Sequence, residues 1–161
     1  MRENARMIKL FTDLYDGDPW LGVNWMDTLK TISAEKACTR IAEDRNTIWE
    51  IVNHVTLWRR NVWRRIQGEV NTTPDHNYIL PVTDVSEEAW QRSLQELKDT
   101  QQQWLDLLES YDENQYSNIY PNNQMTYYEH IHGILQHDAY HLGQIVLLSK
   151  LTEDTYRRAG A

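Results

Sequence analysis

The four prolines, at positions 19, 74, 81 and 121, leave residues 20–73, 82–120 and 122–161 free of that residue. Proline removes a backbone donor and clashes with the preceding turn, so long stretches without it are where helices can run. Within those stretches apolar residues recur at helical spacing, and there is no internal repeat, low-complexity tract or sustained strand-type alternation. A first helix is expected over about 3–16, with Met7, Phe11 and Leu14 on one face. The run Asp16-Gly17-Asp18-Pro19 stops it, and a shorter helix is expected over about 19–32, with Pro19 in its first turn.

A second long helix is expected to open at Asn46-Thr47, where Thr47 and Glu50 spell a T-x-x-E capping box, and to close at Gly68. Its apolar stripe is Ile48, Ile51, Val55, Trp58 and Val62. The polar segment 69–84, with Pro74 and Pro81, reads as a loop long enough to cross the bundle or cover something. A third helix spans Ser86 to about Ser110, with Trp90, Leu94, Leu97, Gln101, Trp104 and Leu108 in register. A fourth begins at Thr126, again with T-x-x-E at Thr126 and Glu129, and continues to about Lys150 with Ile134, Ile145 and Leu148 facing in. Residues 151–161 read as a frayed tail. The pattern predicts an all-α four-helix bundle with a short extra helix after the first, one domain over 1–161 with its core at about 5–150.

Composition narrows the function classes. With 161 residues one core is expected, large enough to need no disulfide. Cys38 is the only cysteine, so an intrachain disulfide is excluded, and it reads as a small apolar residue in a reducing cytoplasm. No apolar run approaches the ~20 residues of a membrane span, and the N-terminal segment does not read as a signal peptide. A soluble cytoplasmic protein without a membrane partner is expected. The net charge of −8 lacks the basic footprint of phosphate-backbone binding, so no nucleic-acid partner is expected.

Arg59, Arg60, Arg64 and Arg65 cluster on the second long helix. They form either a solvated face or a local anion site, in which Arg59 and Arg60 are candidate carboxylate anchors. Seven tryptophans and nine tyrosines against one phenylalanine suit a core, a pocket wall or a subunit interface.

The histidines carry the chemistry. His137 and His141 are four apart, which brings them onto one helix face about 6 Å apart along the axis. They share that face with Ile134, Ile145 and Leu148, where an unpaired imidazole is costly because both ring nitrogens are polar. A divalent metal ion resolves the problem; a hydrogen-bonded or surface pair is the alternative. His54, between Ile51 and Trp58, can add a third nitrogen if its helix neighbours the fourth. Three imidazoles with open positions make a catalytic-type site, whereas structural zinc is closed by four protein ligands.

Around these rings Glu50 either holds the free N–H of His54 or simply caps its helix. Gln144 either orients a metal-bound water or completes a core hydrogen bond. His130 reads as core or rim, His132 and His76 as solvated, and Gly133 and Gly143 as points of close helix approach. The run His137-Asp138-Ala139-Tyr140-His141 resembles the H-E-x-x-H helix of zinc peptidases, but aspartate reaches less far and no sheet edge is expected to receive a peptide.

The segment His137-x-x-x-His141-Leu142-Gly143-Gln144-Ile145 resembles the H-x-x-x-H-x-G-Q-[IL] signature of the DinB/YfiT-like superfamily. Residues 46–58 are similar to that family's first-histidine helix, and Pro19-Trp20 to one of its branches. The resemblance spans about residues 5–150. It implies a four-helix bundle, usually a homodimer, with His54, His137 and His141 holding one divalent transition metal, nickel or zinc. Characterised members of the family include thiol-dependent transferases and isomerases that use mycothiol, bacillithiol or glutathione, and some hydrolase-like proteins. The expectation is therefore a metal-dependent enzyme acting on a small-molecule substrate through a low-molecular-weight thiol or water, as an S-transferase or hydrolase. The alternative is a non-catalytic metal-binding sensor or dimeric structural bundle.

Overall fold

The computed structural model describes residues 2–159, with side chains described through residue 153. Its elements are α1 (Glu3–Tyr15), α2 (Trp25–Leu29), α3 (Ala34–Cys38), α4 (Ile48–Ile66), α5 (Glu87–Ser110), a 3-10 turn (Glu113–Ser117) and α6 (Tyr127–Ala159). Among the described residues there is no strand, only an isolated antiparallel bridge between Ile119 and Thr126. The fold is all-α.

The long helices begin where their capping residues stand. At α4 the Thr47 hydroxyl accepts the Glu50 N–H at 3.1 Å, and the Glu50 carboxylate accepts the Thr47 N–H at 2.8 Å. The same reciprocal pair opens α6, with Thr126 accepting the Glu129 N–H at 3.1 Å and Glu129 accepting the Thr126 N–H at 2.6 Å. Each pair satisfies two donors that a helix start leaves orphaned. Past the end of α4, Gly68 takes φ +91°, a left-handed value that only glycine adopts freely.

Two expected boundaries move. Residues 19–32 do not form one helix. Pro19 sits in a turn whose carbonyl accepts the Gly22 N–H at 2.9 Å, and Gly22 reverses the chain at φ +73°. Helix α2 starts only at Trp25, because the Asn24 side chain accepts the Asp27 N–H at 2.7 Å while donating to the Gly17 carbonyl at 2.9 Å. A further short helix, α3, follows behind its Ser33 cap. At the other end, α6 runs past Lys150 to Ala159, where a frayed tail was expected. No glycine or proline interrupts 151–159, and Thr152 is buried with its hydroxyl on the Leu148 carbonyl at 2.8 Å. The rest of the expected tail, residues 160 and 161, lies outside the described residues.

Four long helices make the bundle. Helix α4 packs against both α5 and α6, α1 against α5, and a lighter α1–α6 contact closes the ring. Its core draws Met7, Phe11 and Leu14 from α1, Val52 and Val55 from α4, Leu97 and Leu108 from α5, and Ile134, Leu142 and Ile145 from α6. Four tryptophans are fully buried. Trp49, Trp90 and Trp104 donate their indole N–H to Ser93 Oγ, the Ile32 carbonyl and the Arg59 carbonyl, so their area is buried without stranding a donor. Cys38 is half-buried against this core, its thiol directed at the Glu35 carbonyl.

Candidate metal centre

The α4–α6 contact sets the geometry of the three histidines. On α4, His54 falls in line with buried Ile51 and Val55 and is itself buried. On α6, His137 and His141 stand one turn apart beside buried Ile134 and Ile145, and both are half-buried, so the cluster opens along one side. His54 Nε2 lies 3.1 Å from His137 Nε2. The His141 ring is centred 4.7 Å from that of His54 and 4.4 Å from that of His137. One ring nitrogen from each residue lies within 4.8 Å of the other two. Two imidazoles bound at 2.0–2.1 Å to one tetrahedral ion stand ~3.3 Å apart, close to the observed separation.

Hydrogen bonds behind the rings decide which nitrogens face one another. His54 Nδ1 is 2.8 Å from the Asn77 carbonyl oxygen, which can only accept, so Nδ1 carries the proton. His141 Nδ1 donates in the same way to Gln144 Oε1 at 2.7 Å. Both rings therefore present an Nε2 lone pair. His137 Nδ1 is buried without a partner, and the nearest carboxylate oxygen, Asp138 Oδ1 at 3.8 Å, is buried without one too. With no acceptor at Nδ1, His137 can carry its proton on Nε2 and donate it to the His54 Nε2 lone pair at 3.1 Å. With the proton on Nδ1 the two Nε2 lone pairs face one another, the arrangement that a shared cation requires. This donor set fits a divalent metal ion.

The electrostatics keep the His54 and His141 rings in the ligating form. Burial pushes the His54 imidazolium down to about 4, helped by the neighbouring His141 and His137 rings. Burial, then the His137 ring, holds His141 below the ordinary histidine value, against an opposing pull from Gln144. A metal ion needs the neutral imidazole.

The 69–84 loop closes over the α4 side of the cluster. Asn77 and Tyr78 take φ +49° and +59°, a conformation that costs roughly 1–3 kcal/mol for a residue other than glycine. They are held there by Trp58 Nε1 donating to Asn77 Oδ1 at 3.1 Å and by Asn61 Nδ2 donating to the Tyr78 hydroxyl at 2.7 Å. Asn77 is the contributor that the sequence does not reveal, because it acts through a carbonyl that every residue possesses. The only hint is the loop's length.

Other expected site residues fall elsewhere. Glu50 does not reach His54: its carboxylate caps α4 and pairs with Arg40 at 2.6 Å. Arg59 is not an anion anchor. It is fully buried, with Nε on Asp138 Oδ2 at 2.7 Å and Nη2 on Gln101 Oε1 at 3.1 Å, so its guanidinium is already occupied. Arg60 turns the other way and pairs with Glu96 of α5 at 3.1 Å. Asp138 is turned onto Arg59, so it does not occupy the place of a peptidase glutamate. His132, expected in solvent, is half-buried against Tyr128, with ring centres 4.5 Å apart. His76 is exposed, and its Nδ1 accepts the Tyr78 N–H. Of the four clustered arginines Arg65 is the one beside the site, where it lines a cavity that also touches His137.

The sequence model of the DinB superfamily matches residues 23–145, a span that contains His54, His137, His141 and Gln144. No curated protein and no solved structure matches the chain. Both histidine helices lie inside the matched span and meet at one cluster, and the chain belongs to the DinB superfamily.

Proposed function

We propose that the protein is a metal-dependent enzyme in which His54, His137 and His141 hold one divalent transition ion, nickel or zinc, through their Nε2 atoms. The observation that carries this reading is the 3.1 Å approach of His54 Nε2 to His137 Nε2, with the His54 ring backed at Nδ1 by the Asn77 carbonyl and His141 one turn from His137. When bound, such an ion supplies Lewis acidity that lowers the pKa of a thiol or water, so that a nucleophile exists at neutral pH.

The chain's own residues do the rest. The Asn77 carbonyl and Gln144 Oε1 accept hydrogen bonds from the Nδ1–H groups of His54 and His141 and fix the tautomer and tilt of those rings. Trp58, bridged to Asn77, shields the α4 side from water. The substrate reaches the site from the half-buried side, near His137 and His141. Three protein ligands leave positions open, which favours reaction over a purely structural role. The reaction proposed is transfer of a low-molecular-weight thiol to an electrophile, with hydrolysis as the related outcome if water takes the thiol's place.

A panel of thiols with electrophilic acceptors, and of esters and amides without a thiol, tests the assignment on nickel- and zinc-loaded protein. Turnover that disappears on metal removal and returns on reloading is expected. Stoichiometric metal with no turnover would point to a sensor instead.

The protein is also proposed to form a homodimer. Trp20 is wholly exposed beside exposed Leu21, and Tyr140, Leu147 and Leu151 lie exposed along α6. No helix among the described residues is long and apolar enough to cross a membrane. A cytoplasmic location is proposed, supported by the single unpaired cysteine.

A further inference from the structure

Next to the histidines lies a cavity of 260 Å³ between α4 and α6. Trp58 and Ile134 give it apolar walls, His137 stands at its metal end, and Arg65 and His130 supply polar groups. Gly133 also lines it, and a Cβ added there meets no atom within 4 Å, so the glycine leaves room inside the cavity.

Arg65 is the unusual element. It is 9% exposed, and its guanidinium is packed over Trp58 and Tyr120 at 5.6 and 5.5 Å from their ring centres. Its hydrogen bonds go to neutral partners, Nε to Asn71 Oδ1 at 3.0 Å and Nη2 to Thr73 Oγ1 at 3.3 Å. Among the described residues no carboxylate forms an ion pair with it, whereas Arg59 has Asp138 and Arg60 has Glu96. A buried cation without a counter-charge is costly, and an anion brought into the cavity would lift that cost.

His130 points to the same kind of ligand. It is 5% exposed, its ring meets Tyr120 edge-on at 5.1 Å, and its Nε2 is buried without a partner. Burial and the charge of Arg65 hold its imidazole neutral, so the ring can offer one N–H without adding a second cation. Arg65 and His130 thus stand against the same tyrosine, the guanidinium with N–H donors beyond the two given to Asn71 and Thr73 and the ring with an unpartnered Nε2.

We propose that this cavity binds a small organic carboxylate, its carboxylate held by Arg65 and His130 and its apolar body lying along Trp58 and Ile134 toward His137. The inference rests on the metal-site reading only for what the ligand's other end meets. A short straight-chain acid supplies both parts, a carboxylate for the polar groups and an apolar chain for the walls. A planar guanidinium matches a carboxylate in shape as well as charge.

Hexanoate and its uncharged isostere hexanamide are the probes, titrated calorimetrically into metal-free full-length protein so that neither can bind through a metal ion. Hexanoate is expected to bind at least about tenfold more tightly than hexanamide. The Arg65→Met variant should lose that preference while keeping the metal content of the unaltered chain. Gly133→Leu, which fills the cavity and suits a helix better than glycine, should weaken both probes without touching any charge. Equal binding of the two probes, no binding of hexanoate, or a preference that survives Arg65→Met would overturn the proposal. If metal is not bound yet the hexanoate preference holds, the metal reading fails and this one stands; the reverse pattern separates them equally well.

Discussion

Arg59 and Asp138 meet at 2.7 Å with neither side chain exposed, so the helices that carry the histidines are pinned together one residue from His137. Thr100 and Gln101 of α5 bond the same guanidinium, at 3.4 and 3.1 Å, and Gln101 continues to the Phe11 carbonyl of α1. Removing one member leaves the other charge buried and unpaired. Asp138→Ala and Arg59→Ala should each cost about 3–5 kcal/mol of stability, and Arg59→Met with Asp138→Leu should recover much of it. Urea denaturation checks this, and a loss below about 1 kcal/mol for the single variants would show the pair to be dispensable.

Gln144 holds His141 from behind without belonging to the core, since it is half-buried and bonded at 2.7 Å to Nδ1. Gln144→Ala should therefore weaken metal binding by roughly 10–100-fold while leaving the fold nearly as stable. Competition with a chelator gives the affinity and thermal unfolding gives the stability. An unchanged affinity would mean that His141 needs no partner.

Acid should destabilise the metal-free protein in a defined window. The unfolded chain protonates His54 near its ordinary value of 6.5, whereas the folded chain resists until about 4. Between those values the unfolded state binds more protons, so stability falls as pH falls through that range. The loss attributable to His54 is on the order of 3 kcal/mol at most, and the lowered His141 acts in the same direction. Carboxylates also begin to titrate there, so the informative quantity is the difference between the unaltered protein and His54→Gln. That difference should shrink steadily from pH 6.5 to 4; a constant difference would contradict the assignment.

Self-association has its own check. A chain of 19.2 kDa should sediment as a species of about twice that mass, and Leu147→Glu on the exposed side of α6 should return it to monomer. Monomer in both cases would remove the dimer and leave the metal site untouched.

The helices were legible in the sequence because proline, glycine and T-x-x-E signals act locally. Thr47–Glu50 and Thr126–Glu129 form the reciprocal caps that their spacing implies. The split near residue 24 was missed because Asn24 does two jobs: it caps α2 and it reaches back to Gly17. Histidine spacing revealed which rings share a face. It was silent on what stands behind them, since the acceptor for His54 is a backbone carbonyl in a loop 23 residues away. Arg59 looked free because its partner lies 79 positions further along the chain, and only the packing of α4 on α6 joins them. Arg65, six residues on, looked no different from Arg59 in sequence; burial against Trp58 and Tyr120 without a carboxylate sets it apart.

The most direct test of the shared-ion account is the metal content of purified protein, measured by inductively coupled plasma mass spectrometry for the unaltered chain and for His54→Ala and His137→Ala. The account predicts about one nickel or zinc ion per chain, falling to a small fraction of that in either variant while circular dichroism reports an intact helical fold. Metal-free protein that takes up no ion on incubation with nickel or zinc, or folded variants that keep a full complement, would contradict it.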